Sequence, residues 1–439
     1  MRISLLLTRW VDGRLRWGLI FWMFLMSAVA YLDRVNISIA GQAIQKDFGL
    51  TNIQLGWVFS AFVIGYALFQ VPGGRLADRF GARMVISAGV VWWGVFTTLT
   101  ALVPTGMALS LAMLIGTRLL LGLGEAVVYP SSNRLVSSWI PSSERGLANG
   151  LIFAGVGAGA GVTPPLIIYV LSRWGWHWSF YVSALIGLAS GAVWFLIARD
   201  SPREHPLASR KEIDHIEAGL PAATHASGGT LPWGTILGNR NVWAITFSYF
   251  AYGYTAYIFF TWFFIYLSRV RGLDLKASAL YSMLPFIAMA CAAPLGGWVA
   301  DWITWHHGKR AGRCGVAIFG LSFAAVFLAL ATQVESARVA SIVLAGGAGA
   351  LYLAQSAFWA VSADIAGKSA GTVSGLMNMG AQVGGAMTAS LTPWIADRFG
   401  WTASFLVAAS LCFGGALAWL LVNPDAPIPA RRTDNKVIL

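Results

Sequence analysis

Apolar residues come in long runs along this chain, and shorter polar stretches separate the runs. A helix rises 1.5 Å per residue, so about twenty apolar residues cross the roughly 30 Å hydrocarbon layer of a membrane. Twelve runs reach that length, which predicts an all-α membrane protein with both termini on one side. The predicted spans are residues 17–40, 55–76, 84–103, 108–131, 146–171, 178–198, 241–268, 277–300, 312–332, 338–362, 369–396 and 401–422.

The composition agrees with this pattern. Of 439 residues, 57% are hydrophobic and 11% are charged, whereas about 25% of the residues in a soluble globular protein are charged. The formal net charge of +12 raises the question of a nucleic-acid partner. Such binders gather Lys and Arg on one face of a folded domain, but here these residues lie between apolar runs. We therefore expect the lipid bilayer as a partner, and no nucleic acid.

The basic residues predict the orientation in the membrane. With a cytoplasmic N-terminus, 21 of the 30 Lys and Arg residues fall in cytoplasmic regions, seven fall outside, and Arg34 and Arg118 fall within the membrane. Because basic residues favour the cytoplasmic side, we expect both termini in the cytoplasm.

One long polar stretch, 199–240, divides the chain. It contains four prolines and a charged run, 209–217, and Ile213, Ile216 and Leu220 fall on one face at helical spacing. We interpret it as a cytoplasmic linker with a short surface helix. It separates an N-terminal six-helix bundle, 1–198, from a C-terminal six-helix bundle with its tail, 241–439.

The two bundles resemble each other in sequence. The pair Gly74 and Asp78 recurs 223 residues later as Gly297 and Asp301. Further residues recur at an offset of 225: Gly146, Gly150, Arg173, Gly175, Trp176, Ser179 and Phe180 return as Gly371, Gly375, Arg398, Gly400, Trp401, Ser404 and Phe405. Shared offsets favour a duplicated unit. Two parallel repeats place a binding site at their interface near the membrane midplane, reached alternately from each side.

The turn after the second span reads GGRLADRFGARM, from Gly73 to Met84. It resembles the loop motif of the major facilitator superfamily, and the span number, linker and repeat extend the resemblance over nearly the whole chain. Gly74 permits close helix approach, and Asp78 can accept hydrogen bonds at a neighbouring helix N-terminus. The alternative is a solvated turn whose arginines only set topology. The resemblance implies a cytoplasmic gate formed by Gly74, Asp78, Arg79, Gly81 and Arg83.

Several separate motifs carry a narrower resemblance. They are Tyr31-Leu32-Asp33-Arg34-Val35-Asn36-Ile37-Ser38, Gly65-Tyr66 with Phe69-Gln70-Val71-Pro72-Gly73-Gly74, Arg118 with Gly122-Leu123-Gly124-Glu125-Ala126, and Asp200-Ser201-Pro202 with His205-Pro206. Together they are similar to the anion:cation symporter family, which includes bacterial permeases for sugar acids and animal carriers of sialic acid and glutamate.

Four charged residues lie within predicted spans of the first half: Asp33, Arg34, Arg118 and Glu125. A charge at the centre of a membrane helix costs about 2.5 to 3.5 kcal/mol on insertion scales, so such residues are functional candidates. The resemblance implies that Arg34 binds a substrate carboxylate, that Asp33 and Glu125 accept protons, and that Arg118 is their charge partner. The alternative is a neutral structural network.

Polar and aromatic residues of the second half complete the candidate site. By resemblance we expect Tyr257, Trp359, Asn378 and Gln382 to bind substrate together with Tyr31 and Tyr66 of the first half, although packing or interfacial anchoring is an alternative for each aromatic residue. The fifth span departs from the family, because Gly155-Val156-Gly157-Ala158-Gly159-Ala160-Gly161 replaces an expected side-chain amide. These small residues favour tight helix packing and admit less hydroxylated acids. The seventh span lacks the proline expected after Trp262.

The resemblance implies a proton-coupled symporter that imports a small organic anion, most simply a hexonate, hexuronate or aldarate, across the inner membrane. An organic-anion exchanger or uniporter and a membrane sensor that does not translocate the anion are the alternatives. Drug efflux is disfavoured, since two buried arginines repel cationic drugs. We find no catalytic set or phosphate-binding loop, so we expect no enzyme, no cofactor beyond the proton gradient, and a monomer.

Overall fold

The computed structural model describes residues 14–220 and 230–429, and within those ranges the chain forms helices and their connections. Several basic residues near the chain ends that we expect in the cytoplasm lie outside the described residues, among them Arg2, Arg9, Arg431 and Arg432. The helices of the first half are α1 Leu15–Phe48, α2 Asn52–Phe80, α3 Ala82–Leu102, α4 Ser110–Glu125, α5 Val128–Trp139, α6 Arg145–Trp174 and α7 Trp176–Ile197.

The linker and the second half follow the same all-helical plan. The linker contains α8 Arg210–Ala218 and α9 Trp233–Leu237. The helices of the second half are α10 Arg240–Thr261, α11 Phe263–Ile265, α12 Leu275–Ser282, α13 Leu284–Lys309, α14 Val316–Ala331, α15 Ala337–Ala366 and α16 Ala370–Ala418.

Eight helical stretches of the described chain are long and apolar enough to cross a membrane, or nine if α10 and the bent segment after it form one span. Two stretches, Leu280–Ala331 with 52 residues and Ala337–Leu421 with 85, are much longer than one crossing requires. Their backbone breaks at Gly308, with φ of 85°, and at Gly400, with φ of 86°. Both glycines lie in connections between predicted spans.

Several helix ends differ from the predicted ones. Helix α1 continues eight residues beyond the predicted end at residue 40 and stops at Gly49, which has φ of 62°. Polar residues such as Gln42 and Gln45 end the apolar run without ending the helix. The fourth span is two helices, α4 and α5, of which α5 continues to Trp139.

The glycines of α6 bring it close to helices of both halves. A Cβ atom added at Gly155 or Gly159 would clash with backbone carbonyls of α1, and one at Gly157 would press on Ala290 of α13. The tight packing predicted from this run is confirmed. Helix α6 therefore links the first half to the second along the central interface.

The linker packs on the same end of the molecule as the described chain ends. Ser209 caps α8 by accepting a hydrogen bond from the Glu212 N–H at 3.2 Å. The buried Glu212 carboxylate accepts hydrogen bonds from the N–H groups of Leu15 and Arg16. The Ile428 N–H donates to Ile365 O at this end too. We call it the linker side.

Candidate functional site

A small cavity lies between the two halves, with a volume of about 50 Å³. Ligand sites are commonly about 300 to 1,000 Å³, so this conformation encloses little room for a ligand. Seven of the twelve tyrosines of the chain line it, and Arg34 is the one charged residue that the described part of the chain contributes to its wall. The lining residues used below are Tyr31, Arg34, Tyr66, Tyr129, Val156, Tyr249, Tyr252, Tyr257, Tyr352, Gln355, Asn378 and Gln382.

Arg34 lies in the wall of the cavity and is fixed from two sides. Its Nε donates to Glu125 Oε1 at 2.5 Å. Its guanidinium carbon lies 4.1 Å from the ring centre of Tyr66 and 5.0 Å from that of Tyr31. Among the described residues, its Nη2 atom has no hydrogen-bond partner. This nitrogen is therefore available to an anion in the cavity.

Glu125 ends α4 and is fully buried. Only one of its carboxylate oxygens has a hydrogen-bond partner among the described residues, since Oε2 has none. The resemblance implied Arg118 as the charge partner of Glu125, but the direct ion pair is with Arg34. The pair thus joins the predicted substrate-binding arginine to a predicted proton acceptor.

Asp33 and Arg118 lie outside the wall of the cavity. Asp33 Oδ2 accepts a hydrogen bond from Thr97 Oγ1 at 3.0 Å, and Arg118 lies with its guanidinium carbon 5.1 Å from the Phe62 ring centre. Both residues are 1% exposed, and within the described chain Asp33 Oδ1 and two nitrogens of Arg118 lack hydrogen-bond partners. As neighbours on α1, Asp33 and Arg34 turn to different partners, which agrees with their expected divergence.

Three of the four expected residues of the second half reach the cavity. Tyr257 donates its hydroxyl proton to Gln382 Oε1 at 2.7 Å, and Asn378 donates to Gln70 Oε1 at 2.9 Å. Trp359 does not line the cavity. It is buried behind the wall, where its Nε1–H donates to Tyr249 at 3.0 Å. The Trp359 indole, which is larger than a phenol ring, fills the space behind the tyrosine rings that form the cavity surface.

Sequence reasoning missed part of the aromatic wall. Tyr249 lines the cavity, as do Tyr129 and Tyr352. Residues 249, 252, 253, 256, 257 and 260 of α10 all face the cavity, at the spacing of one helix face. That periodicity, traced back from Tyr257, could have found Tyr249.

The predicted gate residues Gly74 and Asp78 meet the second half on the linker side. Asp78 accepts hydrogen bonds from the N–H groups of Gly371 at 2.9 Å and Thr372 at 2.7 Å, at the N-terminus of α16. A Cβ atom at Gly74 would clash with Gly371 O. A carboxylate at a helix N-terminus is favoured by the helix dipole.

The repeated pair makes the same contact in the opposite direction. Asp301 accepts hydrogen bonds from the N–H groups of Gly146 at 2.9 Å and Leu147 at 2.6 Å, at the N-terminus of α6. A Cβ atom at Gly297 would clash with Gly146 O. The sequence repeat therefore produces two equivalent contacts between the halves, which we call the two latches.

Gly81, Arg83 and Arg79 stay within the first half. Gly81 has φ of 88°, and a Cβ atom there would clash with the Asp200 carboxylate, which accepts a hydrogen bond from the Arg83 N–H at 2.9 Å. The Arg83 Nε donates to Phe195 O, also at 2.9 Å. Arg79 is exposed. These residues shape the loop beside the first latch rather than bridging the halves.

A buried ion network strengthens the linker side, and sequence reasoning missed it. Asp364 accepts from Arg145 Nη1 at 2.5 Å and from the Ser142 hydroxyl at 2.6 Å. Arg313 donates to Asp301 at 2.6 Å and to Ser142 O at 2.6 Å. Since Arg145 and Arg313 stand at the ends of predicted spans, the sequence indicates only a topological role for them. With the latches, they hold the linker side closed.

Comparisons with known proteins agree with this architecture. The model of the Major Facilitator Superfamily matches residues 23–389 and 308–437. The chain is similar to the probable sulfoacetate transporter of Cupriavidus necator, with 35% identity over 92% of each chain. It is also similar to the hexuronate transporter of Bacillus subtilis, with 31% identity over 94% of this chain and 96% of the relative.

A further relative and a solved structure extend the comparison. The chloroplastic ascorbate transporter of Arabidopsis thaliana is 30% identical over 94% of this chain and 75% of its own. The structure of a proton:xylose symporter superposes with a TM-score of 0.74 at 14% identity, covering 95% of this chain and 98% of that one, and supports the fold alone. The chain belongs to the major facilitator superfamily, as its loop motif, repeat and fold together require.

Proposed function

We propose that this multi-pass membrane transporter is a proton-coupled symporter that imports a small organic anion, with sugar acids as the leading class. The relatives include transporters named for sulfoacetate, hexuronate and D-galactonate. Each of these molecules is an organic acid that is an anion near neutral pH. The common feature is the anionic group, which fits a cavity whose one charged wall residue is Arg34.

One observation carries the proposal: Arg34 lies between Glu125 and the cavity. Its Nε binds the carboxylate, while Nη2 has no partner within the described chain. An anion that binds the guanidinium competes with Glu125 for the same positive charge. A buried carboxylate without its partner is costly, so Glu125 then takes a proton. Anion and proton therefore occupy the site together.

The other candidate residues take supporting roles in this proposal. Asp33 is a second proton acceptor, and Arg118 is the positive charge that balances it. Tyr31, Tyr66, Tyr257, Asn378 and Gln382 bind the rest of the substrate, while Trp359 supports the wall from behind. When the contacts of the two latches break, the linker side opens, so the site is reached from each side of the membrane in turn.

The proposed topology has twelve spans, with the linker side in the cytoplasm and the chain in the inner membrane as a monomer. Backbone breaks at Gly308, Gly367 and Gly400 divide the two longest stretches into five segments, at the connections that the sequence predicts. The distribution of basic residues, 21 against seven, supports the orientation. The six-helix bundles then correspond to 1–198 and 241–439, joined by the linker 199–240.

Proteoliposomes that contain a pH-sensitive dye test the proposal. Addition of glucuronate or sulfoacetate outside the vesicles should acidify the lumen as acid and proton enter together. Arg34→Ala should slow this uptake by at least about tenfold, because a hydrogen bond to a charged group contributes about 1.5 to 3 kcal/mol. Arg210→Ala, which changes an exposed arginine of the linker, is the matched control.

The alternatives give different results in the same assay. Acid entry without acidification of the lumen would indicate an exchanger or uniporter. Saturable binding of the acid by the purified protein without entry would indicate a sensor. Either result would contradict proton-coupled symport.

A further inference from the structure

The far wall of the cavity is a buried triad on two helices of the second half. Tyr249 of α10 accepts a hydrogen bond from Gln355 Nε2 at 2.8 Å and one from Trp359 Nε1 at 3.0 Å. All three side chains are at most 3% exposed. Tyr249 and Gln355 reach the cavity surface, and Trp359 lies behind them.

This triad has a hydrogen-bond donor to spare. A phenolic oxygen has two acceptor positions and one proton. Because Gln355 and Trp359 fill both acceptor positions, the Tyr249 proton is left for another partner. In this orientation the Gln355 Oε1 atom has no hydrogen-bond partner among the described residues. The opposite orientation of the amide pairs Oε1 with the Tyr249 proton and leaves the Gln355 N–H groups as the spare donor. In either orientation the Tyr249–Gln355 pair has one donor for a bound molecule.

The opposite wall also presents a donor. Arg34 Nη2 has no partner among the described residues, and both side chains border the same cavity. The fifth span contributes Val156 to the wall, and not the side-chain amide expected there. Buried donors without acceptors are unfavourable, so a bound molecule must accept hydrogen bonds at both ends.

We propose that the Tyr249–Gln355 pair determines specificity by donating a hydrogen bond to an oxygen acceptor at the end of the substrate remote from its Arg34-bound anionic group. The substrate class is a short acid with an oxygen group at each end, such as a second carboxylate, a sulfonate or a carbonyl. Acids that end in a methyl group or another apolar group are rejected. This inference rests on the proposed function and adds a second recognition point to the same site.

Binding to the purified full-length protein tests the inference, with glucuronate, sulfoacetate and butyrate as probes. The first two acids have oxygen groups remote from the carboxylate, and butyrate ends in a methyl group. The wild-type protein should bind glucuronate or sulfoacetate at least about tenfold more tightly than butyrate. A site built to pair a polar group of its ligand discriminates strongly against a ligand that lacks this group. Tyr249→Phe should remove most of this preference and leave butyrate binding unchanged.

Tyr254→Phe is the matched control, since Tyr254 lies on the same helix but its hydroxyl contacts Thr392 away from the cavity. Gln355→Met, with a similar side-chain volume, is a second test variant. It should show the same loss of preference, and it keeps the inference testable if Tyr249→Phe does not fold. Equal binding of butyrate by the wild-type protein, or undiminished preference in both variants, would overturn the inference. Failure of the wild-type protein to bind any of the three acids would instead overturn the proposed function on which it rests.

Discussion

At the scale of single residues, Arg34 depends on its neighbours for its position. The ion pair with Glu125 fixes one edge of the guanidinium, and the Tyr66 ring covers its face with 4.1 Å between the guanidinium carbon and the ring centre. A desolvated cation over an aromatic ring gains about 2 kcal/mol. In the proposed mechanism, the ring keeps the charge at the cavity when the substrate draws Arg34 away from Glu125.

Substitution of Tyr66 separates the ring from its hydroxyl group. We expect Tyr66→Leu to weaken anion binding about tenfold, because it removes the cation–π contact, worth about 1 to 2 kcal/mol. Tyr66→Phe keeps the ring and is the matched control, with binding close to that of the wild-type protein. Isothermal titration with glucuronate or sulfoacetate measures both. Equal affinities of the two variants would show that the ring does not position Arg34.

At the scale of elements, the linker ties the two halves together on the linker side. The Leu231 N–H donates to the Ser369 hydroxyl at 2.8 Å, and Leu231 O accepts from Arg75 Nη1 at 2.8 Å. Ser369 directly precedes α16, and Arg75 lies on α2 beside the first latch. The Arg75 guanidinium carbon also lies 5.5 Å from the ring centre of Trp233. Separation of the halves must break one of these two hydrogen bonds.

Ser369→Ala removes the acceptor of the Leu231 N–H. We expect the closed linker side to lose about 0.5 to 1.5 kcal/mol, so the open-to-closed ratio should rise about two- to tenfold. Distances between spin labels at Arg79→Cys and Trp305→Cys in a background without native cysteines measure that ratio. Ser374→Ala is the control, since its hydroxyl contacts only carbonyls of its own helix. The same open fraction in both variants would contradict a role for the linker.

The sequence predicts elements better than their ends. Apolar runs locate the helices because each must satisfy its own backbone in lipid. They do not show that α1 continues past residue 40, since Gln42 and Gln45 are polar and still helical. The seventh span lacks the expected proline, yet the chain bends by 52° between Thr261 and Phe263. Neither feature has a signature in hydrophobic periodicity.

At the scale of the whole molecule, the duplicated sequence produces a closed linker side with two equivalent latches. Gly74 with Asp78 and Gly297 with Asp301 could be recognised from their shared offset, and the motifs around Arg34 and Glu125 indicated the site. The Arg145–Asp364 pair, 219 residues apart in sequence, could not be recognised in the same way, because its formation depends on how the halves dock. For the same reason, the sequence did not show that Glu125 pairs with Arg34 or that Trp359 lies behind the wall.

In the proposed mechanism, binding of the anion on one side of the Arg34 guanidinium changes the proton affinity of Glu125 on the other side. Glu125 is then needed for accumulation against a gradient but not for movement of the anion itself. An uncharged amide at this position can still leave Arg34 free for the anion, and it cannot carry a proton through the cycle.

Accumulation of radiolabelled glucuronate or sulfoacetate by proteoliposomes under an inward proton gradient, compared with exchange at equal pH, tests this coupling most directly. The Glu125→Gln variant should lose gradient-driven accumulation and retain exchange, while Glu204→Gln, at an exposed linker position, should retain both. Equal loss of accumulation and exchange in Glu125→Gln, or accumulation that persists in it, would contradict the proposed role of the Arg34–Glu125 pair.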